Sequence, residues 1–184
     1  MPRIKSLVRP FFHTSRRVLA KIWLQSHAKT TVVGVTGSYG KTNTSVAINS
    51  VLSEKFKTLM TDINLDTNFN IPITVLKLKD QEKLILEYGV DHIGEMDKHL
   101  SLAKPKIAVV TGIAPVHSDS SHLGSLENII KEKSKLVEAL PKEGWAVLNW
   151  DAPEVRSMRE KTKGQIFYYG LDKDNCRIWA NRIK

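Results

Sequence analysis

The segment Val32-Val33-Gly34-Val35-Thr36-Gly37-Ser38-Tyr39-Gly40-Lys41-Thr42-Asn43-Thr44 constrains this chain more than any other. It reads as a buried strand that runs through a glycine loop into a helix. The β-branched run from Thr30 to Val35 suits the strand. Glycines at 37 and 40 let backbone N–H groups turn toward an anion, and Lys41 and Thr42 open the helix that follows. A lysine in that place neutralises phosphate charge, and a threonine hydroxyl directly after it is placed to ligate Mg²⁺. The common phosphate-binding loop would carry its first glycine where this chain has Val35; the glycines here are Gly34, Gly37 and Gly40. A chance Gly-Lys-Thr in a surface turn is the competing reading. The strand before the loop and the helix-like stretch after it argue against that.

From residue 30 onward, short apolar runs alternate with helical patterns. The strand-like runs are Thr31–Val35, Thr58–Thr61, Leu84–Glu87, Ile107–Thr111, Trp145–Asn149 and Ile166–Tyr169, and the helical candidates lie at 41–55, 94–102, 125–139 and 152–160. Strands separated in this way predict βαβ units, hence an α/β fold with a mostly parallel sheet and flanking helices on both faces. Ligands of such sheets bind at the carboxyl ends of the strands. The glycine loop follows the first strand, Glu87 ends the third, and His117 lies in the loop after the fourth. Pro141-Lys142-Glu143-Gly144 reads as a turn, not a domain linker.

A chain of 184 residues holds one α/β domain and a short appendage. Cys176 is the sole cysteine, so the chain has no internal disulfide, which fits a reducing cytosol. No apolar run approaches the roughly 20 residues of a membrane span. The formal charge of +9 is uneven: Arg3, Lys5, Arg9, Arg16, Arg17, Lys21 and Lys29 give the first 29 residues +7 with no acid, leaving +2 for the rest. The nearly neutral remainder gives no reason to invoke nucleic acid. Within residues 1–29, Ile4, Leu7, Val8, Phe11, Val18, Leu19 and Ile22 recur at helical spacing, and Pro10 predicts a kink or two short helices. Three readings of this segment stand open. It is a helical lead-in packed on the domain, a helix lying on an anionic membrane surface with Phe11, Phe12 and Trp23 at the interface, or an Arg-rich organellar targeting peptide. A signal peptide does not fit, because no continuous apolar stretch precedes a small-residue cleavage site.

The loop sequence Thr36-Gly37-Ser38-Tyr39-Gly40-Lys41-Thr42 resembles the ATP-binding loop of the Mur ligase family, the ATP-dependent amide-forming enzymes of cell-wall precursor synthesis. Four more segments carry the resemblance in order: Asn64 to Pro72, Leu86 to Met96, Thr111 to His117, and Gly124-Ser125-Leu126-Glu127 through Lys133. Their spacing is most like the member that adds D-alanyl-D-alanine to a UDP-muramoyl tripeptide. The match covers about residues 30–184, which implies the family's P-loop-containing central ATP-binding domain. A chain of this length has no room for the family's amino-terminal UDP-sugar domain, or for the carboxy-terminal domain that closes over ATP and delivers the amine. The central domain is therefore expected to stop early, and the isolated chain to lack activity alone. The implied partners are ATP, Mg²⁺, a UDP-muramoyl-peptide-like carboxylate and an amine, D-Ala-D-Ala, in the cytoplasm, and the membrane-surface reading of residues 1–29 would put the protein at the inner face of the membrane. Rival readings are a related ligase for a folate- or polyamino-acid-type substrate and a non-catalytic ATP-binding fragment.

Joining a carboxylate to an amine in water needs activation, which ATP supplies by forming an acyl phosphate that the amine then attacks. The first step brings a carboxylate up to a polyanion, so the site must gather cations and ligands for Mg²⁺. Gly37, Ser38, Tyr39, Gly40, Lys41, Thr42 and Asn43 are the expected phosphate cradle. Glu87 closes an apolar strand, where an acid has little structural purpose, and by resemblance matches the family's magnesium-binding glutamate. His117 matches the histidine that helps hold a second Mg²⁺, with His122 as rival. Lys133 matches a lysine that is carbamylated in the family, with Lys131 one step out of register; the modification needs an unprotonated amine, hence burial or nearby cations. In the segment from Asn64 to Pro72, which lies near the peptide substrate in relatives, Asn64, Asp66 and Thr67 are substrate-loop candidates. Asp66 and Asn70 stand where asparagine and glycine are common.

Overall fold

The computed structural model describes residues 3–62, 67–115 and 123–181, with side chains from Thr14 onward. Its elements in chain order are α1 (Arg3–Ser26), β1 (Thr31–Thr36), α2 (Lys41–Ser53), β2 (Thr58–Met60), α3 (Thr67–Leu76), β3 (Lys83–Glu87), α4 (Glu95–Leu102), β4 (Ile107–Val110), α5 (Leu126–Glu138), β5 (Trp145–Asn149), α6 (Pro153–Arg156), a 3₁₀ turn (Ser157–Lys161), β6 (Gln165–Gly170) and β7 (Ile178–Trp179). The strands form one sheet in the order β2-β3-β1-β4-β5-β6-β7, and every described pairing is parallel. The first strand in sequence thus lies inside the sheet, between β3 and β4, and the chain departs from it in both directions. That is the switch point at which such sheets open a crevice.

Alternation along β1 divides the core. Val33 and Val35 join Ile85 and Val109 on the face covered by α2, where Ile48 and Leu52 pack. Val32 joins Leu84, Leu86, Ala108, Val110, Ala146 and Leu148 on the opposite face, against Ile71 and Val75 of α3, Leu100 of α4 and Ile129, Leu136 and Val137 of α5. Both faces are apolar, as a parallel sheet between helices requires. Gly34 points toward the second face. A Cβ there would stand 3.0 Å from the Tyr88 ring, 3.2 Å from Pro105 and 3.3 Å from Leu136. The missing side chain therefore lets α5 approach β1, and Lys133 lies one turn before Leu136 on the same helical face.

Four expectations need correction. The segment from Asn64 to Pro72 reads as a loop, yet its described part, from Thr67, opens α3. Pro72 sits inside that helix and removes one intrahelical bond, but Ile71 and Val75 bury one face completely, and tertiary packing outweighs the weak propensity of Thr, Asn and Pro. The helix expected over 152–160 is a short α6 followed by a 3₁₀ turn. The two-residue β7 is absent from the sequence reading, being too short to show a period. Of the two forms expected at Pro10, a kink or two short helices, the second is not seen: α1 is one helix from Arg3 to Ser26. Its later half is held by tertiary contacts to α3 and α4, with Ala20 fully buried and the Trp23 indole N–H donating to the Leu78 carbonyl at 3.0 Å.

Candidate active site

The glycine loop crosses the carboxyl end of β1, and its shape is fixed by the segment that directly follows the neighbouring strand β4. Ser38 N–H donates to the Gly112 carbonyl at 2.7 Å, Ser38 Oγ donates to the Ala114 carbonyl at 3.0 Å, and the Thr111 hydroxyl reaches the Tyr39 carbonyl at 2.5 Å. Gly37 has φ 151°, and a Cβ on it would overlap Thr111 Oγ1. Only glycine lets the loop lie against that hydroxyl. Gly40 caps α2 with φ 75° and offers no side-chain cap. The first N–H groups of α2, on Lys41, Thr42 and Asn43, therefore keep their donors for an anion at the helix's positive end. Tyr39 lies over Gly112, where a Cβ would strike its ring, and its own side chain is half exposed at the rim.

Parallel pairing of β1 with β3 sets Glu87 beside Val35. Its backbone N–H is fixed by Thr61 Oγ1 at 3.1 Å, and its Oε2 accepts from Thr42 Oγ1 at 2.9 Å. A hydroxyl and a carboxylate oxygen so close together form two hard-oxygen donors beside the phosphate cradle. Among the described residues no group of three or more His, Cys, Asp or Glu gathers as a metal centre. Two oxygen ligands completed by substrate phosphates and water are the usual manner of Mg²⁺, so the donor set fits that ion. His117 and its rival His122 lie outside the described residues, as do Asn64 and Asp66.

Lys133 is 4% exposed. Burial, then the charge of Lys41, lowers its pKa to about 8, while Asp91 and Glu132 pull the other way. The fold has thus brought Lys133 into the electrostatic reach of Lys41. Lys131 is exposed, as a solvated face would have it. Buried Glu132 secures this arrangement: Oε1 accepts from Gly94 N–H at 3.0 Å and Met96 N–H at 2.9 Å, and Oε2 accepts from Lys135 Nζ at 2.6 Å. Glu95 Oε2 in turn accepts from Asp91 N–H at 2.8 Å and His92 N–H at 3.1 Å. These bonds tie α5 to the turn that follows β3 and carries Asp91.

Thr67 opens α3 against that same turn, filling the space a Cβ on Gly89 would need. Asn70 is a buried clamp: its Oδ1 accepts from Asp62 N–H at 3.0 Å and its Nδ2 donates to the Asp62 carbonyl at 2.5 Å. Sequence reasoning missed several residues of this neighbourhood. Thr111 latches the loop, Asp91 and Glu132 surround Lys133, and Asn149 Nδ2 and Tyr169 Oη both reach the Thr111 carbonyl, at 3.0 and 3.4 Å. Burial, with lesser contributions from Tyr39 and Asp151, pushes the Tyr169 phenol up to about 12. Thr111, Asp91 and Glu132 lie inside the segments that carry the family resemblance, but nothing in the sequence assigned them these contacts.

A glycine loop between a central parallel strand and a helix headed by Lys-Thr, with an acid from the adjacent strand on the threonine, defines a P-loop-type nucleotide-phosphate-binding domain. The family model for the Mur ligase middle domain matches residues 35–184. The chain belongs to the Mur ligase family. It is 35% identical over 155 residues to the UDP-N-acetylmuramoyl-tripeptide–D-alanyl-D-alanine ligase of Bacillus subtilis, covering 82% of this chain and 33% of that protein. The Escherichia coli enzyme of the same name is 33% identical over 130 residues, 70% of this chain and 28% of the other. Among solved structures, MurF from Acinetobacter baumannii superposes with TM-score 0.79 at 27% identity, covering 86% of this chain and 35% of that one. The Thermotoga maritima MurF ligase in complex with ADP gives TM-score 0.78 at 26% identity, over 87% of this chain and 37% of the other. The chain thus spans about a third of the length of the curated relatives it matches.

Proposed function

We propose that this chain is the ATP-binding centre of a ligase that joins the terminal carboxylate of a UDP-muramoyl tripeptide to the amine of D-alanyl-D-alanine through an acyl phosphate. The observation that carries the reading is the meeting of Lys41, the Thr42–Glu87 pair at 2.9 Å and buried Lys133 at one end of the sheet. The Gly37–Gly40 loop and the amides opening α2 hold the phosphates of ATP, and Lys41 offsets the charge that builds up as the substrate carboxylate approaches. Thr42, Glu87 and His117 are the residues that hold Mg²⁺, which when bound neutralises the phosphate oxygens. Lys133, its proton already weakened by burial and by Lys41, is the amine that takes up CO₂ and, as a carbamate, returns an anion to a crowded cationic site. Thr67, Asn64 and Asp66 are the residues we assign to recognition of the acid substrate. Peptidoglycan precursor synthesis is the setting this chemistry serves, in the cytoplasm at the inner face of a membrane, with residues 1–29 as the peripheral contact. Sequence relatives named for this reaction support the choice of acid and amine.

The test is ADP release by the protein as its gene encodes it. Turnover should require both the UDP-muramoyl tripeptide and D-alanyl-D-alanine, and fall at least a hundredfold in Lys133→Ala but not in Lys131→Ala. Turnover with a folyl or polyamino acid in place of the muramoyl peptide, or no dependence on any acid, would overturn the assignment.

A further inference from the structure

We propose that the outward face of α1 is a docking surface for an anionic phospholipid bilayer, an inference that rests on the membrane-side placement given above. The helix has two differently treated sides. Its inward side is anchored to α3 and α4 by Ala20, by Leu24 against the core, by the Trp23 indole on Leu78, and by the Arg17 guanidinium donating to the Lys98 carbonyl. Its outward side presents Val18, Leu19 and Ile22, which are 53%, 59% and 58% exposed, with Trp23 at 42% beside them. Three aliphatic side chains at i, i+1 and i+4 make one contiguous apolar patch on a helix already docked by its other face. The domain has covered its core and left this patch bare.

Charge selects the occupant. The first 29 residues carry seven cations and no acid. Among the described residues, no ion pair joins Arg16, Arg17, Lys21 or Lys29 to a carboxylate of the elements packed beneath α1. α3 contains no acid, and both carboxylates of α4 are engaged elsewhere, Asp97 with Lys135 at 2.7 Å and Glu95 with the turn amides of Asp91 and His92. Arg16, Arg17 and Lys98 also line a pocket of about 170 Å³ with Asn68, Phe69 and Pro72 at the flank of α1. Arg16 and exposed Lys21 set cations beside the patch, as suits headgroup phosphates at the flanks of a helix lying in the interface with Val18, Leu19 and Ile22 on the lipid side. A second copy of this chain would set one +7 segment against another, which disfavours a dimer through this face. An anionic bilayer satisfies the patch and the charge together.

Co-sedimentation of the full chain with phosphatidylcholine vesicles, with and without phosphatidylglycerol, tests this. Binding should require phosphatidylglycerol and vanish in molar salt. The double variant Arg16→Gln/Lys21→Gln should weaken it about fivefold for each cation removed, and Leu19→Ser/Ile22→Ser by about tenfold or more. Both variants should keep the thermal melt and Mg-ATP affinity of the wild type, so a lost membrane contact is distinguished from a misread nucleotide site. Equal sedimentation with neutral vesicles, or unchanged binding in both variants, would overturn the proposal. So would a concentration-dependent dimer that Leu19→Ser/Ile22→Ser dissolves, which would assign the face to a second copy.

Discussion

Replacing Lys133 by methionine should stabilise the protein at neutral pH. The Lys133 amine has an ordinary pKa of 10.5 and about 8 in the folded chain, because burial and the neighbouring Lys41 charge disfavour the ammonium form. At about 1.36 kcal/mol per pH unit, this corresponds to a folding cost of about 3 kcal/mol while the group is protonated in both states. Below pH 8 the cost is fully present. Between pH 8 and 10.5 the unfolded chain binds the extra proton, so wild-type stability rises with pH, and above 10.5 the cost is gone. Lys133→Met, which keeps the volume and removes the charge, should therefore gain about 2–3 kcal/mol at pH 7. That gain should shrink across the same window and vanish near its upper end. Urea denaturation of both proteins at several pH values reads it directly, with exposed Lys131→Met as a control that changes little. Bicarbonate should stabilise the wild type and leave Lys133→Met untouched, because only the wild type can form the carbamate. A destabilised Lys133→Met, a gain independent of pH, or an equal gain in Lys131→Met would refute the reasoning.

Gly37→Ala should abolish nucleotide binding by calorimetry, because its Cβ overlaps Thr111 Oγ1 at a φ of 151°, while the sheet, read by far-ultraviolet dichroism, persists. Glu87→Gln keeps an oxygen for the Thr42 hydroxyl and loses the charge, so ATP affinity should stop responding to Mg²⁺ with the melt unchanged. Glu132→Ala should cost stability by about 1–3 kcal/mol in denaturant titrations. It leaves the Gly94 and Met96 amides without their buried acceptor, while Lys135 keeps Asp97 at 2.7 Å.

β1 to β6 were legible because each is a short run set between helix-period stretches or turns, as parallel strands between helices are, whereas the two-residue β7 was not. The glycine loop was legible because its chemistry is local: Gly37, Gly40, Lys41 and Thr42 are neighbours in sequence and in space. α3 was not, since Thr67, Asn68, Asn70 and Pro72 each argue against a helix and only the burial of Ile71 and Val75 decides for one. Lys133 stood out by resemblance, but its burial and its closeness to Lys41 depend on α5 seating over Gly34, which no local pattern encodes. Thr111, Asp91 and Glu132 act through strand pairing and through contacts with distant turns, so their roles exist only once the chain is folded.

Calorimetric titration of the folded chain with ATP, with and without Mg²⁺, in wild type and Lys41→Ala, tests the central claim most directly. A charge-assisted phosphate contact contributes roughly 1.5–3 kcal/mol. The wild type should therefore bind Mg-ATP about tenfold or more tightly than Lys41→Ala, with Mg²⁺ strengthening the wild-type interaction. Equal affinities in the two proteins would contradict the claim that the loop from Gly37 to Thr42 is where this chain holds its nucleotide.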